Sequence, residues 1–285
     1  MEPLDARVAL VTGATGGIGG AVATGLARAG ATVVVVGRSQ ARAEGAMRDI
    51  RAVVPSARLE PLACDLSSQA SIRSAVREFL SRHDRLDVLV NAAGVFRKDR
   101  HVTREGLELT FATNVMAYFL LMDLLSDALR RAATAAGTAR VVNIASKYGR
   151  TRLDFDDLQT AKGEYSYLRS TPPTMLARVL LTQEFAERLR GTGVVVNAVH
   201  PGLVPGTSLL TDVGGPFRWV TDTFGKPAGV GADTPVWLAT SDEAAAVTGK
   251  LWMKRRELPT PGMGSDPDAR RRLWEECARL AGVSR

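Results

Sequence analysis

The chain has 285 residues, 45% of them hydrophobic and 24% charged, with a formal net charge of +7, which suits one large α/β domain with a substantial core. The arginines are scattered, as at Arg28, Arg51, Arg77 and Arg190, so the charge reads as a solvated basic surface and no nucleic-acid partner is expected. Residues 115–125 are too short an apolar stretch to span a bilayer and contain Asp123, while two distant cysteines, Cys64 and Cys277, fit a reducing, cytoplasmic setting better than a disulfide framework.

The first apolar run, Val8-Ala9-Leu10-Val11, has the length of a buried strand. It leads into Thr12-Gly13-Ala14-Thr15-Gly16-Gly17-Ile18-Gly19, which opens an apolar-periodic helix through Leu26. Gly13, Gly17 and Gly19 permit a tight turn, close approach of backbone to a pyrophosphate, and close helix–strand packing. The helix N-terminus then favours the bound negative charge. The next run, residues 32–36, ends in Gly37-Arg38-Ser39. Sites that select NAD place an acidic residue near this point. Arg38 instead suits a ribose 2′-phosphate, with Ser39 adding a hydrogen bond and Arg42 one helical turn on, so NADP(H) is the expected cofactor.

Further runs follow at 59–64, before Asp65, and at 86–90, before Asn91-Ala92-Ala93-Gly94. An apolar helix at 115–129 follows Asn114 and reads either as a homodimer face or as an internal helix. Val141-Val142-Asn143-Ile144 precedes Ser146-Lys147-Tyr148, and the run 194–199 precedes Pro201-Gly202. The Pro- and Gly-rich stretch at 201–231 reads as a substrate loop, Lys254-Arg255-Arg256 as an exposed strand end, and 270–280 as a C-terminal helix. Strands and helices alternating roughly six times imply a Rossmann-type, doubly wound parallel sheet in a single domain over 1–285.

Taken together these segments resemble the short-chain dehydrogenase/reductase family from about residue 8 to 280. Phe155-Asp156-Asp157-Leu158-Gln159 and Leu176-Ala177-Arg178-Val179-Leu180-Leu181-Thr182 are closest to its retinol-dehydrogenase-like branch. The resemblance implies that Asp65, with Leu66, contacts adenine, that Asn91, Ala92 and Gly94 belong to the family's Asn-Asn-Ala-Gly type of motif, and that Pro201, Gly202 and Val204 flank the cofactor. Thr15 and Ile18 join the phosphate loop, Asn114 matches the structural and catalytic Asn, and Ser146 matches the catalytic Ser. No metal site is expected.

One segment departs from the pattern. Where the family places Tyr-x-x-x-Lys, this chain reads Thr171-Pro172-Pro173-Thr174-Met175, with Tyr165-Ser166, Arg169 and Leu176-Ala177 holding the register without a gap. In the family, Tyr exchanges the substrate proton, Lys lowers its pKa and holds the nicotinamide ribose, Ser positions the carbonyl, and Asn supports a proton relay. Residues before proline avoid the α region, so Thr171 and Pro172 are expected to be extended, with the helix starting near Pro173. Loss of a positioned general acid removes roughly 10²–10⁴-fold in rate. Tyr148, two residues beyond Ser146, is the leading substitute, and Tyr165, Tyr167 and His200 are further candidates.

Three functions fit these residues. The first is an atypical NADP(H)-dependent oxidoreductase, with a biosynthetic role, acting on a carbonyl or hydroxyl of a small, mostly apolar molecule. Phe96, Trp219 and Phe224 suggest the apolar rim. The second is a non-redox isomerase, dehydratase or cyclase in which Ser146 polarises a carbonyl. The third is a catalytically silent partner subunit.

Overall fold

The computed structural model describes residues 4–202, 204, 227–260 and 262–283. Four apolar strands form its centre: β1 (Val8–Val11), β4 (Val88–Asn91), β5 (Ala139–Ile144) and β6 (Val194–Val199). Nearly every residue in them is buried, as a parallel sheet covered on both faces requires. β2 (Thr32–Gly37), β3 (Arg58–Ala63), β7 (Leu251–Met253) and β8 (Arg256–Leu258) complete the order β3-β2-β1-β4-β5-β6-β7-β8. All neighbours pair in parallel except β7 and β8, which form an antiparallel hairpin.

Alternation along each strand assigns side chains to two cores. Ala9, Val11, Val33 and Val35 meet α1 (Gly17–Arg28), α2 (Gln40–Val53) and α7 (Ala228–Thr240). Leu10, Val34 and Val36 face the other layer: α3 (Gln69–Arg82), α4 (Leu109–Leu124), α5 (Ser126–Ala136), α6 (Tyr167–Arg188) and α8 (Pro267–Ala281). This is the doubly wound, Rossmann-type sheet that the sequence predicts. Winding reverses between β1 and β4, so a crevice opens beyond their C-terminal ends.

The structure corrects two local expectations and decides a third. Thr171 and Pro172 are helical: α6 starts at Tyr167 and runs through both prolines. Each proline forfeits a hydrogen bond to the carbonyl four residues back, here those of Leu168 and Arg169, both exposed residues. Burial of Ser170, Thr171, Thr174 and Met175 against the core outweighs the local preference for extension before proline. Lys254-Arg255-Arg256 is exposed as expected, but only Arg256 is a strand end, opening β8, while Lys254-Arg255 form the turn of the β7–β8 hairpin with φ of 51° and 57°. Such a turn normally takes Asn or Gly; here Arg255 is held by the Asp233 carboxylate at 2.6 Å. Helix 115–129 is internal, of its two readings, since α8 covers α4. Trp274 packs edge-on against Phe119 at 5.7 Å, and Arg188 lies 3.5 Å above the Trp274 ring.

Among the described residues no single helix is long and apolar enough to cross a membrane. The bent pair α4–α5 has the composition but is mostly buried in the core.

Candidate active site at the sheet switch point

The crevice widens into a cavity of about 890 Å³ lined from the glycine loop to α6. Its floor is set by Thr12, whose hydroxyl oxygen accepts from the Ala92 and Ala93 amides at 3.0 and 3.3 Å, tying the end of β1 to the end of β4. Gly13 has φ +67°, and a Cβ there would lie 2.9 Å from the Ala93 backbone. At Gly19 a Cβ would meet the Gly13 carbonyl at 2.3 Å. Both positions therefore require glycine for close approach. Thr15, Gly16, Gly17 and Ile18 line the cavity where α1 begins, and no side chain caps that helix start. Its first amides are thus left for an anion, which is the property a pyrophosphate needs.

Arg38 and Arg42 stand at the end of β2, both exposed, both lining the cavity, and neither paired with a carboxylate among the described residues. Ser39 caps α2: its hydroxyl oxygen accepts from the Arg42 amide at 3.4 Å. Asp65 and Leu66 line the far side. One Asp65 oxygen, Oδ1, is occupied by the Ser67 amide and hydroxyl. Ala92, Ala93 and Gly94 also reach the cavity, as do Pro201, Gly202 and Val204. Asn91 does not: its Nδ2 donates to Asn143 Oδ1 at 2.9 Å beneath the strands, and Asn143 in turn donates to Thr182 Oγ1. The residues present fit a dinucleotide, with the cations at β2 suited to a 2′-phosphate.

At the other end, Ser146 Oγ lies 3.4 Å from His200 Nδ1, and both residues line the cavity. Burial, and after it the positive charge of Lys147, lowers the His200 pKa below the usual imidazole range, favouring the neutral ring. Asn114 sits in a π-helical turn, Ala112–Met116, fully buried. Its amide is spent bracing the loop after β4: Oδ1 accepts from the Val95 amide, and Nδ2 donates to the Val95 carbonyl and to Thr174 Oγ1. Tyr148, the expected substitute acid, is not brought to the cavity. Its ring is buried in the core with the hydroxyl against Gly264, where an added Cβ would lie 1.7 Å from the Tyr148 oxygen. A Cβ-free residue at Gly264 is what admits the ring. Tyr165 is also turned away, donating to Glu108 Oε1 at 2.9 Å.

Thr171, Pro172 and Met175 form the α6 wall, joined by Tyr167 and, opposite, by Phe96 and Leu109. Trp219, Phe224 and most of the 201–231 loop lie outside the described residues.

One residue of this wall has no counterpart among the expected site residues. Arg178 is 4% exposed and lines the cavity. Its Nε donates to the Asn114 carbonyl at 2.8 Å, Nη1 to the Ile144 carbonyl at 2.9 Å and Nη2 to the Ala93 carbonyl at 3.0 Å. The guanidinium carbon lies 4.1 Å above the Tyr118 ring. Burial pushes the Tyr118 phenol up to about 12, so it stays neutral beside the cation. The available signal was a single arginine inside the apolar run Leu176–Leu181, where a helix facing the core tolerates a charge only with dedicated partners.

Comparison with known proteins places this geometry. The short chain dehydrogenase family profile matches residues 7–157. Human retinol dehydrogenase 13 is 32% identical over 98% of this chain and 86% of its own length. Human dehydrogenase/reductase SDR family member 13 is 38% identical over 99% of this chain and 75% of its own. Among solved structures, the Pseudomonas aeruginosa RhlG/NADP active-site complex superposes with a TM-score of 0.71 at 29% identity, covering 87% of this chain and 94% of that one. The chain therefore belongs to the short-chain dehydrogenase/reductase family, in its retinol-dehydrogenase-like branch.

Proposed function

We propose that this protein is an NADP(H)-dependent oxidoreductase that acts on a carbonyl or hydroxyl of a small, mostly apolar organic molecule without the family's Tyr/Lys pair. The observation that carries the cofactor choice is the pair of cations, Arg38 and Arg42, that line the cavity end of β2 with no carboxylate partner among the described residues. The NADP complex of the Pseudomonas relative supports the same reading.

When bound, the cofactor supplies or accepts a hydride. The chain's own residues supply the rest. Ser146 Oγ donates a hydrogen bond to the substrate oxygen and orients it. His200 Nδ1, within reach of that hydroxyl, passes the proton to or from Ser146 Oγ, so the pair stands in for the phenol that Thr171 lacks. Phe96, Leu109 and Tyr167 give the reacting carbon an apolar wall. A second reading, non-redox chemistry on a carbonyl, rests on that same Ser146–His200 pair together with Met175 at the position expected for lysine.

Calorimetric titration tests the cofactor. NADPH is expected to bind more tightly than NADH, and Arg38→Asp to abolish or reverse the preference; equal affinity for the two overturns the assignment. Nicotinamide absorbance across a panel of ketones and enones separates the two chemistries, since turnover without an absorbance change is the non-redox outcome.

A further inference from the structure

The reaction end of the cavity carries a buried positive charge that no described carboxylate neutralises. Arg178 is packed among apolar side chains, with no carboxylate in salt-bridge range among the described residues. Its partners are three main-chain carbonyls and the face of a neutral phenol. Carbonyl dipoles make such a cation tolerable without cancelling its net charge. Of the five guanidinium donors, three are spent on carbonyls, and a fourth has only the Met175 sulfur, 3.8 Å from Nη1. Lys147 adds a second cation to the same end of the cavity. The sole acidic residue lining the cavity, among the described residues, is Asp65, at the opposite end beside β3. In a site walled by low-dielectric groups, an unbalanced charge of this kind selects the sign of what enters.

We infer that the substrate is an organic carboxylate: an apolar body lying along Phe96, Leu109 and Tyr167, with its carboxylate drawn towards Arg178 and Lys147. This inference rests on the reading of the cavity as the substrate site and narrows the substrate class. A neutral apolar alcohol leaves the buried guanidinium uncompensated, whereas a carboxylate pairs with it where water is scarce, the condition under which charge-assisted hydrogen bonds are strongest.

The probes are 4-phenylbutanoate and 4-phenylbutanamide, matched in shape, unreactive, and different in charge. Calorimetry is run on the protein alone and on the protein saturated with NADPH. The carboxylate is expected to bind at least tenfold more tightly than the amide, with the margin shrinking as salt is raised. Arg178→Gln removes the charge together with three buried hydrogen bonds, so it is paired with a variant that keeps the Arg178 bonds to all three carbonyls. Met175→Glu puts a carboxylate next to Nη1, and is expected to erase the preference while the melting transition survives. The inference is overturned if the amide binds as well as the acid, if neither probe binds at millimolar concentration, or if folded Met175→Glu keeps the full preference. Failure of NADPH to bind, with the acid preference intact on the protein alone, counts against the proposed cofactor and leaves this inference standing.

Discussion

His200 gives the site a titratable group whose behaviour is fixed by its surroundings. Burial, with Lys147 adding to it, holds the folded pKa below the ordinary imidazole value of about 6.5. The unfolded chain therefore takes up the proton first as pH falls. The stability associated with neutral His200 is fully present above about 6.5 and is lost as pH falls from there through the folded value. Urea unfolding followed between pH 7.5 and 5 is expected to show a steeper loss in wild type than in His200→Gln; parallel curves refute a buried neutral ring. The same ring serves catalysis. With any carbonyl substrate from the panel, Ser146→Ala is expected to cost roughly 10²–10³-fold in kcat, as for one lost oxyanion-type donor. Reduction requires His200 to give up a proton, so the wild-type rate on these carbonyls should fall as pH rises through a value below 6.5, a dependence that should vanish in His200→Gln and that a merely structural histidine would not produce. Residue identity pointed to Ser146 and set His200 only among the further candidates, without pairing the two, because strand β6 and the loop after β5 meet only in three dimensions. Tyr148 failed as a candidate for the reverse reason: it is adjacent in sequence to the site, and the space left by Gly264 draws its ring the other way.

At the scale of elements, apolar runs located β1 and β6 to the residue, since both faces of these strands are buried. β5 begins two residues earlier than its apolar run suggests, at Ala139, because Arg140 is buried and paired across to the Ser241 carbonyl. The start of α6 was misread because a local rule was applied to a segment that tertiary packing controls. Ser166 begins the helix, its carbonyl accepting the Arg169 and Ser170 amides at 3.0 Å. The Thr174 hydroxyl, folded back on the Thr171 carbonyl at 2.7 Å, closes the next turn across the prolines. If the helix is already formed, replacing the prolines supplies two amide donors to the Leu168 and Arg169 carbonyls without changing the fold. Pro172→Ala with Pro173→Ala is expected to leave NADPH affinity unchanged. It should raise stability by about 1 kcal/mol, the net worth of ordinary hydrogen bonds set against the lost rigidity of proline in the unfolded chain. A shift in NADPH affinity of tenfold or more would mean that the proline backbone shapes the site itself.

For the whole molecule, what the sequence could not show was how its C-terminal segment is used. The amphipathic pattern at 270–280 announces a helix, but its docking on α4 and α6 depends on contacts far apart in the chain. Trp274 is the centre of that docking: it meets Phe119 of α4 edge-on, Arg188 of α6 lies over its face, and Phe185 packs edge-on against Phe119 at 5.8 Å. Arg270 and Arg188 share Glu184, a carboxylate with only 5% of its side chain exposed, so the same surface is both apolar and ionically stapled. α8 thereby seals the outer side of the two helices that carry Asn114 and the cavity-lining Arg178. Trp274→Ala is expected to cost about 3–5 kcal/mol, the usual range for emptying a large aromatic from a core. The uncovered Phe119 and Phe185 form a new apolar patch, so the variant should also self-associate in a concentration-dependent way. Trp274→Phe, which keeps the edge-on contact and loses only part of the ring, should fall between the two and stay at the wild-type association state. Chemical denaturation and sedimentation velocity read the two effects separately. A Trp274→Ala protein that is as stable as wild type would show that α8 adds nothing to the body of the fold. One that is unstable but never associates would show that the surface beneath closes over by itself.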